Sequence, residues 1–407
     1  MTRRASIFLI AVFLCTAAAI WFLQRPRHAT APAPAGVQFT ATDFKDLPGW
    51  RESDPRAARD AFRRSCGALA KKSASEGMGG AGYAGTVGDW VEACNGLSAA
   101  TDARTFFEKN FTAFAISVAG KRDGLFTGYY EPELHASRTR HGAYQTPVYG
   151  LPPDLIGVDL GQFRGELKGE RIAGRIEGHK LVPYATRADI DAHGLPKAPV
   201  LFYGDDPIAV FFLHIQGSGR IAFDDGTKAR AGYAGKNGRP YTPIGRTLIA
   251  RGALTKESVS MPAIRAWLKS KPQEARAVMQ ANQSYTFFTL LPAGDPALGA
   301  IGTEGVPLTA GASLAVDNRI HPLGAPLFVT TTIPGKPSEK PMRKLLIAQD
   351  TGGAIRGAVR GDVYWGTGAN AEYLAGAMKS QGQLYVLLPN KVAAGLGADK
   401  TFKVRAP

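Results

Sequence analysis

The stretch from Leu345 to Gly366, LLIAQDTGGAIRGAVRGDVYWG, constrains this chain more than any other. The apolar run Leu345 to Ala348 is closed by Asp350, and Asp362 leads into a second run, Val363 to Trp365. Upstream, Leu314 to Val316 is closed by Asp317 in SLAVDNRIHPLG. Short apolar runs bounded by Gly, Pro and Asp read as strands, and 48 glycines with 27 prolines favour strands and turns over a helical bundle. Carboxylates at the ends of buried strands are costly unless paired or used. Each aspartate alone is ordinary turn chemistry. Three together, with Gly352-Gly353 allowing backbone to lie close to a ligand, point to a site.

A chain of 407 residues has room for two domains of ~100 to 200 residues each. The net charge of +15 calls for an anionic partner. No basic run interleaved with aromatics and no zinc or helix-turn-helix spacing appears, so nucleic acid is not expected as that partner. Seven histidines scattered without ligand spacing argue against a metal, and no cofactor is expected.

Arg3-Arg4 followed by an apolar stretch from Ala5 to Leu23 reads as an export signal retained as a membrane anchor. Cys15 follows Leu14, where cleavage before a lipidated cysteine needs a small residue. A Pro/Ala/Arg-rich linker then runs to about Gly36. In an oxidising compartment Cys66 and Cys94 are expected to pair.

Folding is expected from Val37. Asp54-Pro55, Thr86 with Asp89, and Thr101 or Asp102 cap three helices; the first carries Phe62, Cys66 and Leu69 on one face. FAISVAG and LFTGYYEPEL, around a turn at 121–124, read as a hairpin. There Tyr129 and Tyr130 beside Glu131 suit sugar rings; an edge strand with amphipathic tyrosines is the structural alternative. AVFFLHIQ reads as a strand, in which His214 is a core group or, with Gln216, faces a groove beside Ser218. Helices are expected after Thr186, Thr242, Ser260 and Pro272, and a last one from Asn370 to near Gly382. The strands SYTFFTLL, SLAVD, PLFVTTTI, KLLIAQD and QLYVLLP suggest a compact barrel.

Four motifs carry a resemblance: TGYYEPEL at 127–134, HIQGSGR at 214–220, AVDNRIHPLGAPL at 315–327 and AQDTGGAIRGAVRGDVYWG at 348–366. With them the chain resembles the membrane-bound lytic murein transglycosylase A family. The resemblance implies a mainly β fold with helices: a three-aspartate, double-psi β-barrel, an inserted β-rich domain and a groove between them. The expected divisions are 1–36 anchor and linker, 37–127 helical segment joining the barrel, 128–284 inserted domain and 285–407 barrel. It further implies exolytic cleavage of the β-1,4 bond between N-acetylmuramic acid and N-acetylglucosamine of peptidoglycan, with 1,6-anhydromuramoyl ends. Asp362 falls on the catalytic acid, and Asp350 and Asp317 on the accompanying aspartates. Tyr129, Tyr130, Glu131, Gln216, Ser218, Gly352 and Gly353 are the expected substrate contacts. Arg356 and Arg360 are expected to point to solvent or to substrate carboxylates. Glycan strands, a membrane and wall-remodelling complexes are the implied partners, on the periplasmic face of the envelope, at the outer membrane by resemblance or the inner membrane through residues 5–23. A noncatalytic glycan-binding or wall-loosening barrel is the competing function, and a hydrolase with reducing-end products a third.

Overall fold

The computed structural model describes residues 36–98, 102–167, 170–335, 337–397 and 401–404. The expected anchor at 5–23, the linker before residue 36 and Thr101 lie outside these residues. Among the described residues no helix is long and apolar enough to cross a membrane.

Strand β1 (Val37–Thr42) precedes three helices, α1 (Arg56–Leu69), α2 (Val87–Cys94) and α3 (Ala103–Asn110). Side-chain oxygens start each one. Asp54 accepts from Arg56 N at 3.0 Å, Asp89 from Thr86 N at 2.9 Å, and Asp102 from Thr105 N at 2.8 Å, satisfying backbone donors that the first helical turn leaves free. A disulfide joins Cys66 of α1 to Cys94 of α2. Strands β2 (Phe111–Val118) and β3 (Gly124–Tyr129) follow.

Next come β4 (Glu133–Ser137), β5 (Thr146–Tyr149), β6 (Ile156–Asp159), β7 (Arg171–Glu177), β8 (Lys180–Pro183), α4 (Arg187–His193), β9 (Val200–Gly204), α5 (Pro207–Gln216), β10 (Gly219–Phe223), β11 (Lys228–Lys236), α6 (Ile244–Ala250), α7 (Met261–Ser270), α8 (Pro272–Gln280) and β12 (Thr286–Pro292). Six of these strands form a sheet ordered β12-β11-β10-β4-β9-β5, and a bridge between Gly150 and Phe288 nearly closes it. Strands β6, β7 and β8 make a small separate sheet.

The last part supplies β13 (Ser313–Val316), β14 (Pro326–Ile333), β15 (Lys340–Thr351), β16 (Arg360–Tyr364), α9 (Ala369–Ala377), β17 (Lys379–Pro389), α10 (Asn390–Gly395) and β18 (Thr401–Val404). Neighbouring pairs run β14-β15-β13-β16-β3-β17, and β17 pairs back onto β14, so six strands close a barrel. The β13–β15 and β16–β3 pairs are parallel and the others antiparallel. Phe126, Leu314, Val316, Leu346, Ala348 and Val363 fill its interior. The fold is a double-psi barrel carrying an inserted β-rich module.

Four local expectations are corrected. SYTFFTLL, expected in the barrel, is β12 and pairs with β11 in the six-stranded sheet. The hairpin of β2 and β3 does not form beyond the bridge from Val118 to Lys121. Strand β17 intervenes, pairing through Lys379–Gly382 with β3 and through Tyr385–Pro389 with β2. A single long strand claims both edges, which local patterning cannot foresee.

AVFFLHIQ is helix α5, not a strand. Asp206 accepts from Ile208 N at 2.7 Å, Pro207 opens the first turn and Gly217 at φ 81° closes the last. Because Val210, Phe211, Phe212 and Leu213 are all buried, the helix shows no polar face by which its period could be read.

The last expected helix starts after Gly368 rather than at Asn370 and ends at Ala377. Residues 379–382 belong to β17, held by pairing with β3.

Candidate active site

One row of backbone partners crosses four barrel strands. Ala315 of β13 is in register with Asp350 of β15 on one side and with Asp362 of β16 on the other. Asp362 is in turn in register with Thr127 of β3. The interior is filled by alternate residues, Phe126, Leu314 and Val363, so this row lies on the outer face of the barrel. A bulge makes the alignment possible. The partner of Leu314 is Ala348, and the partner of Ala315 is Asp350, so Gln349 is the extra residue. Without it the alternation would turn Asp350 to the other face.

Gln349 is itself anchored. Its amide donates to Ala61 O and Ser65 Oγ, both at 3.0 Å, and its Oε1 accepts from Ser313 Oγ at 2.6 Å. Helix α1 thereby fixes the bulge that aims Asp350.

Asp362 is half-buried in a recess. Its Oδ1 accepts from Thr127 Oγ1 at 2.5 Å, and Thr127 Oγ1 accepts from Arg360 Nη2 at 2.8 Å. Burial raises the carboxyl pKa; the Thr127 bond and the Arg360 charge lower it, the Asp350 charge adds to the rise, and the net direction is upward. Arg360 therefore does not turn to solvent as expected. It bonds to the hydroxyl that holds Asp362 and to Leu125 O and Gly361 O.

Asp350 also stands above the ordinary carboxyl range, through burial, against hydrogen bonds that lower it. Its Oδ2 accepts from Tyr129 Oη at 2.8 Å, and its Oδ1 from Thr303 N at 3.1 Å and Thr303 Oγ1 at 2.9 Å. The Tyr129 ring lies 5.2 Å from that of Tyr364.

Asp317 differs from both. It has no exposed surface and bonds to Arg319 at 2.9 Å and to Gly357 N at 2.9 Å, with Arg356 at 3.6 Å. Burial works to raise its pKa, but the Arg319 and Gly357 bonds outweigh it and hold the carboxyl below its usual range. Arg356 is half-exposed while paired with Asp317.

The expected substrate contacts divide. Gln216 and Ser218 are half-buried, and Gln216 Oε1 accepts from Tyr130 N at 3.2 Å. Gly353 is exposed and a β-carbon there would meet nothing, whereas one at Gly352 would approach Ile355 to 2.8 Å. Tyr130 is buried; burial lifts its phenol to about 12, and it meets Arg265 at 3.1 Å. Glu131 has no exposed surface and pairs with Arg230 at 2.7 Å and Arg220 at 3.2 Å. Both arginines also bond to Leu298 O, tying Glu131 and the inserted sheet to the chain that leads into the barrel. His214 is buried against Tyr285 and accepts from Thr286 N at 3.2 Å. It is a core group.

Thr127, Thr303 and Gln349 are the candidate site residues that sequence reasoning missed, and Arg360 is one whose orientation it misjudged. Thr127 opens the TGYYEPEL motif, and Gln349 and Arg360 lie in the motif at 348–366; Thr303 lies in neither. From the inserted module Tyr241 stands near Asp362: it keeps 43% of its surface open, yet burial first and the Asp362 charge second raise its phenol. Among the described residues no group of His, Cys, Asp and Glu is arranged to hold a metal ion.

A double-psi barrel with an inserted sheet module and two carboxyls of raised pKa on its outer face defines a class: three-aspartate barrel proteins. Family models match in two places, the MltA specific insert domain over residues 125–289 and the 3D domain over residues 312–388. Membrane-bound lytic murein transglycosylase A of Escherichia coli strain K12 is 34% identical over 307 residues, 74% of this chain and 75% of that protein. The crystal structure of a membrane-bound lytic murein transglycosylase from Agrobacterium tumefaciens aligns with a TM-score of 0.76 at 32% identity, covering 88% of this chain and 99% of that one. That of E. coli MltA with bound chitohexaose aligns at 0.61 and 27% identity, covering 90% and 97%. The chain belongs to the membrane-bound lytic murein transglycosylase A family.

Proposed function

We propose that this chain is a lytic transglycosylase of peptidoglycan in which Asp362 is both general acid and general base. The observation that carries the reading is the recessed Asp362, with a carboxyl pKa raised by burial and by Asp350, in the same row as Thr127 and Asp350. A raised carboxyl pKa favours the protonated form that a general acid needs.

In the proposed reaction Asp362 gives its proton to the glycosidic oxygen as the bond from that oxygen to the muramoyl anomeric carbon breaks. The muramoyl carbon-6 hydroxyl then bonds to the anomeric carbon, and its proton passes to the Asp362 carboxylate. The enzyme returns to its starting state and the product ends in a 1,6-anhydro ring. Intramolecular attack needs no ordered water and so no second carboxylate to activate one. Hydrogen bonds from Tyr129 and Thr303 favour the ionised form of Asp350, and that charge favours the protonated form of Asp362. Asp317 bears on the site through the loop around Gly357.

The glycan is assigned to the groove between barrel and inserted module, residues 128–284, along Tyr129, Gln216, Ser218, Gly352 and Gly353. The expected roles of Tyr130 and Glu131 become indirect, since burial leaves them holding the groove's wall. Exolytic action, anchoring of the chain by residues 5–23 and a place in wall-remodelling complexes complete the proposal.

Digestion of purified peptidoglycan with mass analysis of the products tests the chemistry. Anhydromuramoyl ends are expected; reducing ends would mean a hydrolase, and no products would leave a binding protein. Release of disaccharide units from the start of digestion is the expected exolytic signature.

A further inference from the structure

A tight turn packs under Asp350. Gly302 N bonds to Val306 O, and Gly305 N to Gly302 O, which puts Thr303 and Glu304 at the tip. The two tip residues face different ways. Thr303 bonds through N and Oγ1 to Asp350, while Glu304 N bonds to Gln349 O at 3.1 Å and its Oε2 accepts from Ser65 Oγ at 2.7 Å. The fit is close. A β-carbon on Gly302 would come within 2.4 Å of Gln349 O, and one on Gly324 within 2.8 Å of Glu304 Oε1.

We propose that Glu304 is a positioning residue for the reaction: its neutral carboxyl seats this turn on helix α1 and strand β15, so that Thr303 can hold Asp350. The inference rests on the function proposed above.

Glu304 Oε1 is buried, and among the described residues no hydrogen-bond donor is aligned on it. A buried carboxylate with one satisfied oxygen is expensive, and the neutral acid much less so. Consistently, burial pushes this carboxyl up to about 7, with the Ser65 bond, the Lys72 charge and the Gln349 amide offsetting part of the rise.

The charged groups around it are few. Lys72, just past α1, favours the ionised form and also pairs with Glu76 at 3.8 Å. Arg64 of α1 is turned to Thr309. Asp350 lies beyond Thr303, which bonds to it. The sign follows from the raised pKa: the seated turn is favoured while Glu304 is protonated, and that preference is lost as pH rises through about 7. Above that pH the carboxylate gains by reaching water, which lifts Thr303 from Asp350.

Glu304→Gln keeps shape and stays neutral at every pH. With purified peptidoglycan, the wild-type kcat is expected to fall on the alkaline side with two proton losses, about 100-fold per pH unit, and the variant with one, about tenfold. KM is expected to be shared. Amide hydrogen exchange at residues 302–305, corrected for its intrinsic pH dependence, should accelerate above neutral pH in the wild type and not in the variant. That measurement needs no activity, so a chain inactive on peptidoglycan would sink the proposed function without deciding this one. Identical alkaline slopes, or exchange that ignores pH in the wild type, would overturn the inference.

Discussion

Asp350 and Asp362 share one backbone partner, Ala315, which separates them by roughly 10 Å of sheet, two strand spacings. The residue between them, Ala315, carries only a methyl group and is buried. The two carboxyls sense each other through that gap, since the Asp350 charge adds to the rise in the Asp362 pKa. Their surroundings make them unequal: Asp350 takes three hydrogen bonds from Tyr129 and Thr303, Asp362 a single one from Thr127.

Asp362→Asn removes the transferable proton and little else. Loss of at least about 100-fold in anhydro product formation is expected, at the lower end of what a general acid-base group contributes. Glycan affinity, read by co-sedimentation with insoluble peptidoglycan, should persist. Turnover near that of wild type would reject Asp362 as the acid.

Thr127→Val deletes a hydrogen bond that favours the ionised form of Asp362. The Asp362 pKa should rise, and because the acid must be protonated to donate, the alkaline limb of kcat should move to higher pH. A limb that stays or moves down would show that Arg360 closes onto the freed carboxylate instead.

Glu131→Gln tests a structural assignment against a binding one. Removing the charge leaves Arg220 and Arg230 facing each other across a buried neutral group. Breaking such a pair costs on the order of 3 kcal/mol. A lowered midpoint of urea unfolding with KM unchanged is expected; a raised KM at unchanged stability would return Glu131 to the substrate.

Asp317 governs acid stability. Its pKa is depressed in the fold, so its contribution is complete above the unfolded value of about 4 and is lost as pH falls through the lower folded value. Asp317→Asn should lower stability at neutral pH and flatten its decline below about pH 4. A curve parallel to wild type at every pH would refute the linkage.

Reducing the Cys66–Cys94 bond opens a loop between cysteines 28 positions apart. Loop entropy puts its contribution at about 3 to 4 kcal/mol. The doubly substituted Cys66→Ser/Cys94→Ser protein should unfold at lower urea yet cleave glycan at low temperature. Unchanged unfolding would mean that the helices hold together without it.

Much of the architecture was legible where chemistry is local. Thr86 with Asp89 and Thr186 with Asp189 announced helix starts because a capping pair needs only four residues. Helix α5 was not legible, since an element buried all round carries no period. Four barrel strands were found, but SYTFFTLL was counted with them although it pairs in the inserted sheet, and β17 was not expected to divide β2 from β3, because pairing is settled by distant edges. At the site the aspartates stood out through motif and composition. Thr127, Thr303 and Gln349 did not. Their roles come from register, a one-residue bulge and a turn folded back under a strand, and none of these leaves a mark in the residue types themselves.

Strand β3 closes a barrel whose other five strands lie after residue 312. The row Thr127, Asp362, Ala315 and Asp350 therefore has one member in the first third of the chain and three in the last quarter. A polypeptide lacking residues 360–389 possesses neither Asp362, the proposed acid, nor β17, which seals the ring. The ring and the row thus assemble only when residues 124–129 and 313–389 are present together, a requirement written into connectivity.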